Sequence, residues 1–128
     1  MTDDAATLVR YRLDRAREAL EEAALLFDSG HVNTAVNRLY YAAFYAVSGG
    51  LLARGHSSSK HSGVRALLHR EFVKPGLVRQ EVGRFYDTLF DSRQKGDYAD
   101  LVSFEAEDVK PWFELTEDLV NALEHTIP

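Results

Sequence analysis

The stretch Asn37-Arg38-Leu39-Tyr40-Tyr41-Ala42-Ala43-Phe44-Tyr45 decides how this chain is built. At helical spacing Val32, Ala35, Val36, Leu39, Tyr40, Ala43, Phe44, Val47 and Leu51 make one apolar stripe. Tyr41, Ala42, Tyr45 and Ala46 make the opposite side apolar as well. A helix apolar on two sides is a central one, covered by its neighbours. Asn37 lies one turn before Tyr41, so a small polar and aromatic cluster is embedded in an otherwise buried rod. Two readings stand: core tyrosines with their hydroxyls tied off, or a cluster that supports a site.

Outward from this helix the pattern stays helical. Leu13, Ala16, Leu20, Ala23 and Phe27 step by three and four, which predicts a long amphipathic helix from about residue 3 to Ser29. Gly30 is its natural stop, and the short link through His31 makes the first two helices an antiparallel pair. The central helix runs to Arg54 and closes at Gly55, with Gly49-Gly50 either admitting a close neighbour or weakening the last turn. His56-Ser57-Ser58-Ser59-Lys60-His61 then leads into a short helix carrying Val64, Leu67, Leu68 and Phe72. The serines read either as a helix cap or, with Lys60 and His61, as donors to a phosphate.

After Pro75-Gly76, Val78, Val82, Phe85 and Leu89 mark a fourth helix ending near Ser92. Arg93-Gln94-Lys95-Gly96-Asp97-Tyr98-Ala99-Asp100 is charged and broken by glycine, and is expected to be a loop. A loop Arg93 would add little packing, so its loss would leave the fold intact. Ser103 is the expected cap of a last helix with the stripe Val109, Trp112, Thr116, Leu119, Val120 and Leu123, kinked or restarted at Pro111. No strand alternation or repeat occurs, so the expectation is one all-α domain over residues 1–128, an antiparallel bundle of four to five helices. The adjacent Trp112 and Phe113 leave an apolar edge that suits a homodimer.

Composition narrows the function. There is no cysteine, which removes thiol catalysis, disulfides and cysteine zinc sites. The five histidines lack metal-ligand spacing, so no metal and no cofactor is expected. The acidic start Met1-Thr2-Asp3-Asp4 and the lack of a long apolar run predict a cytoplasmic protein with no membrane segment. A net charge of −5 disfavours whole-surface binding to nucleic acid. Arg38, Arg54, Lys60, Arg65, His69, Arg70, Lys74, Arg79, Arg84, Arg93 and Lys95 nevertheless crowd the middle of the chain, which permits one basic face.

Three segments in order, Ala35-Val36-Asn37-Arg38-Leu39-Tyr40-Tyr41-Ala42-Ala43-Phe44, Lys60-His61-Ser62-Gly63 and Arg93-Gln94-Lys95-Gly96-Asp97-Tyr98, resemble the HEPN family of small helical domains. The likeness is to the short stand-alone prokaryotic HEPN proteins that accompany a minimal nucleotidyltransferase. It implies a dimerising bundle with a cleft near the end of the fourth helix. Many members are metal-independent ribonucleases in which an arginine is followed four to six residues later by histidine. Arg93 matches the arginine, whereas Asp97 and Tyr98 fill the window where the histidine belongs. Tyrosine, with an ordinary pKa of about 10, is a poor general base beside histidine.

The resemblance thus implies catalytic candidates Arg93, Asp97 and Tyr98, with Lys60, His61, Asn37 and Tyr41 contacting RNA or a nucleotide and His61 a spatial substitute for the missing histidine. It implies a toxin of a toxin–antitoxin pair, acting on RNA and silenced when an adjacent-gene nucleotidyltransferase transfers AMP to Tyr98. The alternative is a non-catalytic HEPN module that binds a nucleotide or its partner.

Overall fold

The computed structural model describes residues 1–98 and 102–128, with the backbone alone for Gly96, Asp97 and Tyr98. Every regular element among the described residues is helical: α1 (Asp3–Asp28), α2 (Val32–Ala53), α3 (His61–Leu68), α4 (Gln80–Tyr98), the single turn α5 (Ala106–Val109) and α6 (Trp112–His125). A π-helical turn over His69–Val73 prolongs α3. The all-α bundle is as the apolar periodicity requires. No helix among the described residues is long and apolar enough to cross a membrane.

The central helix is α2, packed along α1 and against α4 and α6. Its residues Ala35, Val36, Leu39, Tyr40, Ala42, Ala43, Ala46, Val47 and Leu51 are all buried. On α1 the stripe facing it is mostly small, Val9 and Leu13 followed by Ala16, Ala19 and Ala23, which lets the two backbones approach. At Gly49 the approach is close, since a Cβ there would lie 3.4 Å from Arg12 Cβ and 3.6 Å from the Val9 carbonyl. Gly50 faces the other way, where a Cβ would sit 2.7 Å from a Leu123 methyl. The glycine pair therefore admits neighbours on two sides.

Gly30 ends α1 with φ +85°, which turns the His31 amide back onto the Leu26 carbonyl at 2.8 Å. The last helix is entered differently from the sequence expectation. Ser103 caps nothing; α5 starts after Glu105, and Pro111 restarts the chain as α6. Asn33 organises this segment, donating from Nδ2 to the Val102 carbonyl at 2.9 Å and accepting the Phe104 amide at 3.0 Å. Phe113 meets Phe27 edge-on at 5.2 Å, and Trp112 sits between Phe85 and Phe104. Part of the apolar edge expected to seek a second copy is thus covered within the chain.

The largest departure is at the end of α4. The segment from Arg93 expected as a loop is helical through Tyr98. Arginine, glutamine and lysine are good helix formers, and Gly96 costs only about 1 kcal/mol against alanine, so one glycine does not end a helix whose face is still packed.

Candidate functional site

Continuing α4 past Ser92 puts Tyr86, Phe90 and Arg93 on one face at spacings of four and three, turned toward α2. The receiving side chain is Tyr40, fully buried in the middle of α2. Its ring meets Phe90 at 6.2 Å and Tyr86 at 6.0 Å, and the Arg93 guanidinium carbon lies 4.7 Å from its centroid. Arg93 is only 9% exposed. It is a stacked, packed residue, which corrects the picture of a loop arginine that contributes little to the core.

The third wall is the start of α3. Gly55 (φ +80°) turns the chain out of α2. Ser58 Oγ then accepts the Lys60 amide at 3.2 Å, fixing the turn before the helix instead of capping the helix itself. Lys60, exposed, stands at the cap position, and His61 is the first helical residue. His61 stacks on Phe44 with centroids 4.4 Å apart and 12° between planes, and its Nδ1 lies 2.6 Å from the Tyr40 hydroxyl. One turn on, Arg65 lies 4.3 Å from the Phe90 ring centre.

A histidine and an arginine 32 positions apart in the chain thus touch the same tyrosine, one at its hydroxyl and one on its face. The electrostatics follow from that placement. Burial, and then the positive charge of Arg93, hold the His61 imidazole below the ordinary histidine range. Burial pushes the Tyr40 hydroxyl up, against the opposing pull of Tyr86 and Arg93. The deeper Tyr86 hydroxyl is pushed well above its usual value, mainly by burial and then by Tyr40. It feels Tyr40 but makes no hydrogen bond of full geometry to a described residue.

At neutral pH this is a neutral imidazole beside two protonated phenols and a fixed cation. Tyr40 anchors Nδ1 of a ring stacked on Phe44, and Nε2 makes no hydrogen bond to a described residue. Such an arrangement can accept a proton at Nε2, or donate one, next to a positive charge that favours an anion. No cluster of three or more His, Asp or Glu able to hold a metal exists among the described residues.

Of the residues singled out in the sequence, Arg93, His61 and Tyr41 meet around Tyr40, with Tyr41 edge-on to Tyr40 at 5.2 Å and to His61 at 6.1 Å. Asn37 is one turn away, its Oδ1 accepting from Arg38 Nε at 3.2 Å and Nη2 at 2.9 Å, while Arg38 covers Tyr41 at 5.0 Å. Lys60 joins only as the sequence neighbour of His61. The side chains of Asp97 and Tyr98 lie outside the described residues. Tyr40, Tyr86, Phe44 and Arg65 were not singled out as site residues; the spacing of Tyr86, Phe90 and Arg93 along α4 carries a signal for Tyr86 alone, whereas Tyr40, Phe44 and Arg65 join through the packing of α2 and α3.

The model of the HEPN domain matches residues 9–126, and the chain belongs to the HEPN family. A "UPF0332 protein" of Thermotoga maritima is 50% identical over 120 residues, 94% of this chain and 91% of that one. Two proteins of Methanocaldococcus jannaschii are also similar. "Putative toxin MJ0142" is 30% identical over 77% of this chain and 67% of its own, and "Putative toxin MJ0605" is 33% identical over 67% and 64%.

Proposed function

We propose that this protein is a HEPN toxin that cleaves RNA without a metal, with His61 supplying the base that the Arg93 segment lacks. The carrying observation is the Tyr40 ring, bonded to His61 at 2.6 Å on its hydroxyl and covered by Arg93 on its face. With Nδ1–H donating to the Tyr40 oxygen, Nε2 takes the proton of a ribose 2′-hydroxyl. The 2′-oxygen bonds to phosphorus as the bond to the 5′-oxygen breaks, and His61 returns the proton to that leaving oxygen. Arg93 acts through its charge, favouring the phosphorane from beneath Tyr40. The names of the two archaeal relatives support the toxin role.

The same reading includes a homodimer whose cleft gathers two such sites, and an antitoxin nucleotidyltransferase that silences it. Tyr98 stands about a turn and a half beyond Arg93 on α4. Its oxygen would attack the α-phosphorus of ATP in the partner's active site, releasing pyrophosphate and leaving AMP on the helix that carries Arg93. The added phosphate would oppose that positive charge.

The near-complete burial of Arg93 favours one alternative, a module that binds a nucleotide or its partner without cleaving, because the residue is packed into the core with its Nε buried. Incubating the purified protein with labelled RNA in EDTA separates the two. The toxin reading expects cleavage that falls about 100-fold or more in His61→Ala. Full cleavage by that variant rejects His61 as the base, and binding without cleavage by the wild type selects the module.

A further inference from the structure

A second concavity adjoins this site. Between α1, α2 and the turn after Gly55 lies a cavity of about 180 Å³. Its walls include the rings of Phe44 and Tyr45, the serines Ser48, Ser57 and Ser58, and Arg12. Sites for whole small molecules begin near 300 Å³, so this volume suits one ring of a longer ligand.

Its lining is particular. Arg12 donates from Nη1 to the Ser48 carbonyl at 3.2 Å, which holds the guanidinium at the wall, and it has no ion-pair partner among the described residues. The other arginines of α1, Arg10, Arg15 and Arg17, each face a glutamate. Ser58 is oriented by the Lys60 amide, whereas the Ser57 hydroxyl makes no hydrogen bond to a described residue. Aromatic walls, hydroxyls that donate or accept, and an uncompensated cation describe a place for a nucleobase with a phosphate at its edge.

Phe44 joins the two sites, since it carries His61 on its ring and also lines the cavity. We propose that the cavity is a nucleobase subsite, taking the base of the nucleotide next to the phosphate at His61, with Arg12 on the flanking phosphate. This rests on the reading of RNA as substrate. It makes Phe44, Tyr45 and Ser57 determinants of which base is preferred beside the cut.

The test uses the full-length protein and fluorescein-labelled tetraribonucleotides of A, C, G and U, methylated at every 2′-oxygen so that no cut occurs. Ser57→Trp fills the cavity from its exposed lip, and Tyr45→Ala removes one aromatic wall from the half-exposed side. Each variant is expected to weaken binding of the preferred tetranucleotide about tenfold. Wild-type affinity in both, while His61→Ala still weakens binding, overturns the subsite and leaves the RNA reading standing. No binding of any tetranucleotide by the wild type overturns both. Thermal unfolding confirms which variants are folded, and the folded one decides.

Discussion

The guanidinium of Arg93 lies 4.7 Å from the centre of the Tyr40 ring, inside the core and not on a loop. A desolvated pair of this kind contributes on the order of 2 kcal/mol, and truncation also removes the packing over the Tyr40 ring. Arg93→Ala is therefore expected to lower the unfolding free energy by about 2 kcal/mol, read from the urea midpoint at unchanged m-value. An unchanged midpoint would show that the stacking adds nothing to stability.

Tyr40→Phe keeps the ring and removes the bond to His61 Nδ1. The loss of one part-buried hydrogen bond predicts a cost of about 0.5–1.5 kcal/mol, with a larger effect on any cleavage because the imidazole is no longer held in register. A variant as active as the wild type would separate Tyr40 from the chemistry.

The lowered pKa of His61 has a definite sign in stability. The unfolded chain binds its proton near the ordinary value of about 6.5, above the folded value, so the unfolded state holds more protons in between. This contribution is fully present above the unfolded pKa and is lost as pH falls from there through the folded one. Cleavage that uses neutral His61 should also persist at pH 6.5, where an unperturbed histidine is half protonated. Urea titrations of wild type and His61→Gln across pH 5 to 7.5 check this, and parallel slopes would refute it.

Asn33→Ala removes both bonds that hold residues 102–104 to the start of α2. Both are solvent-exposed, so the global cost should stay near 1 kcal/mol while the Phe104 amide loses its acceptor and exchanges faster. Hydrogen exchange with residue resolution gives the answer, and unchanged protection at Phe104 would show that the Asn33 bond does not hold this segment.

Co-expression with an adjacent-gene nucleotidyltransferase, followed by intact mass and peptide mapping, tests the AMP switch. One added AMP on Tyr98 is the expected product; a modification on Tyr40, Tyr41 or Tyr86, or none, rejects it. Light scattering should give twice the mass of one chain, and a strict monomer at micromolar concentration removes the shared cleft.

The sequence alone determined that this is an all-helical bundle around a central α2, because apolar periodicity over 20 residues has one solution once both faces must be covered. It also determined where the chain turns, since Gly30 and Gly55 supply backbone angles other residues avoid. It misjudged the end of α4, where local polarity and Gly96 argued for a loop. There tertiary packing outweighed composition, because the stem and guanidinium of Arg93 find the Tyr40 face only if the helix continues. Only the tertiary structure decided that His61 and Arg93 share one ring. Helical spacing relates residues within a helix, whereas the contact between the start of α3 and the end of α4 depends on how three helices pack around Tyr40.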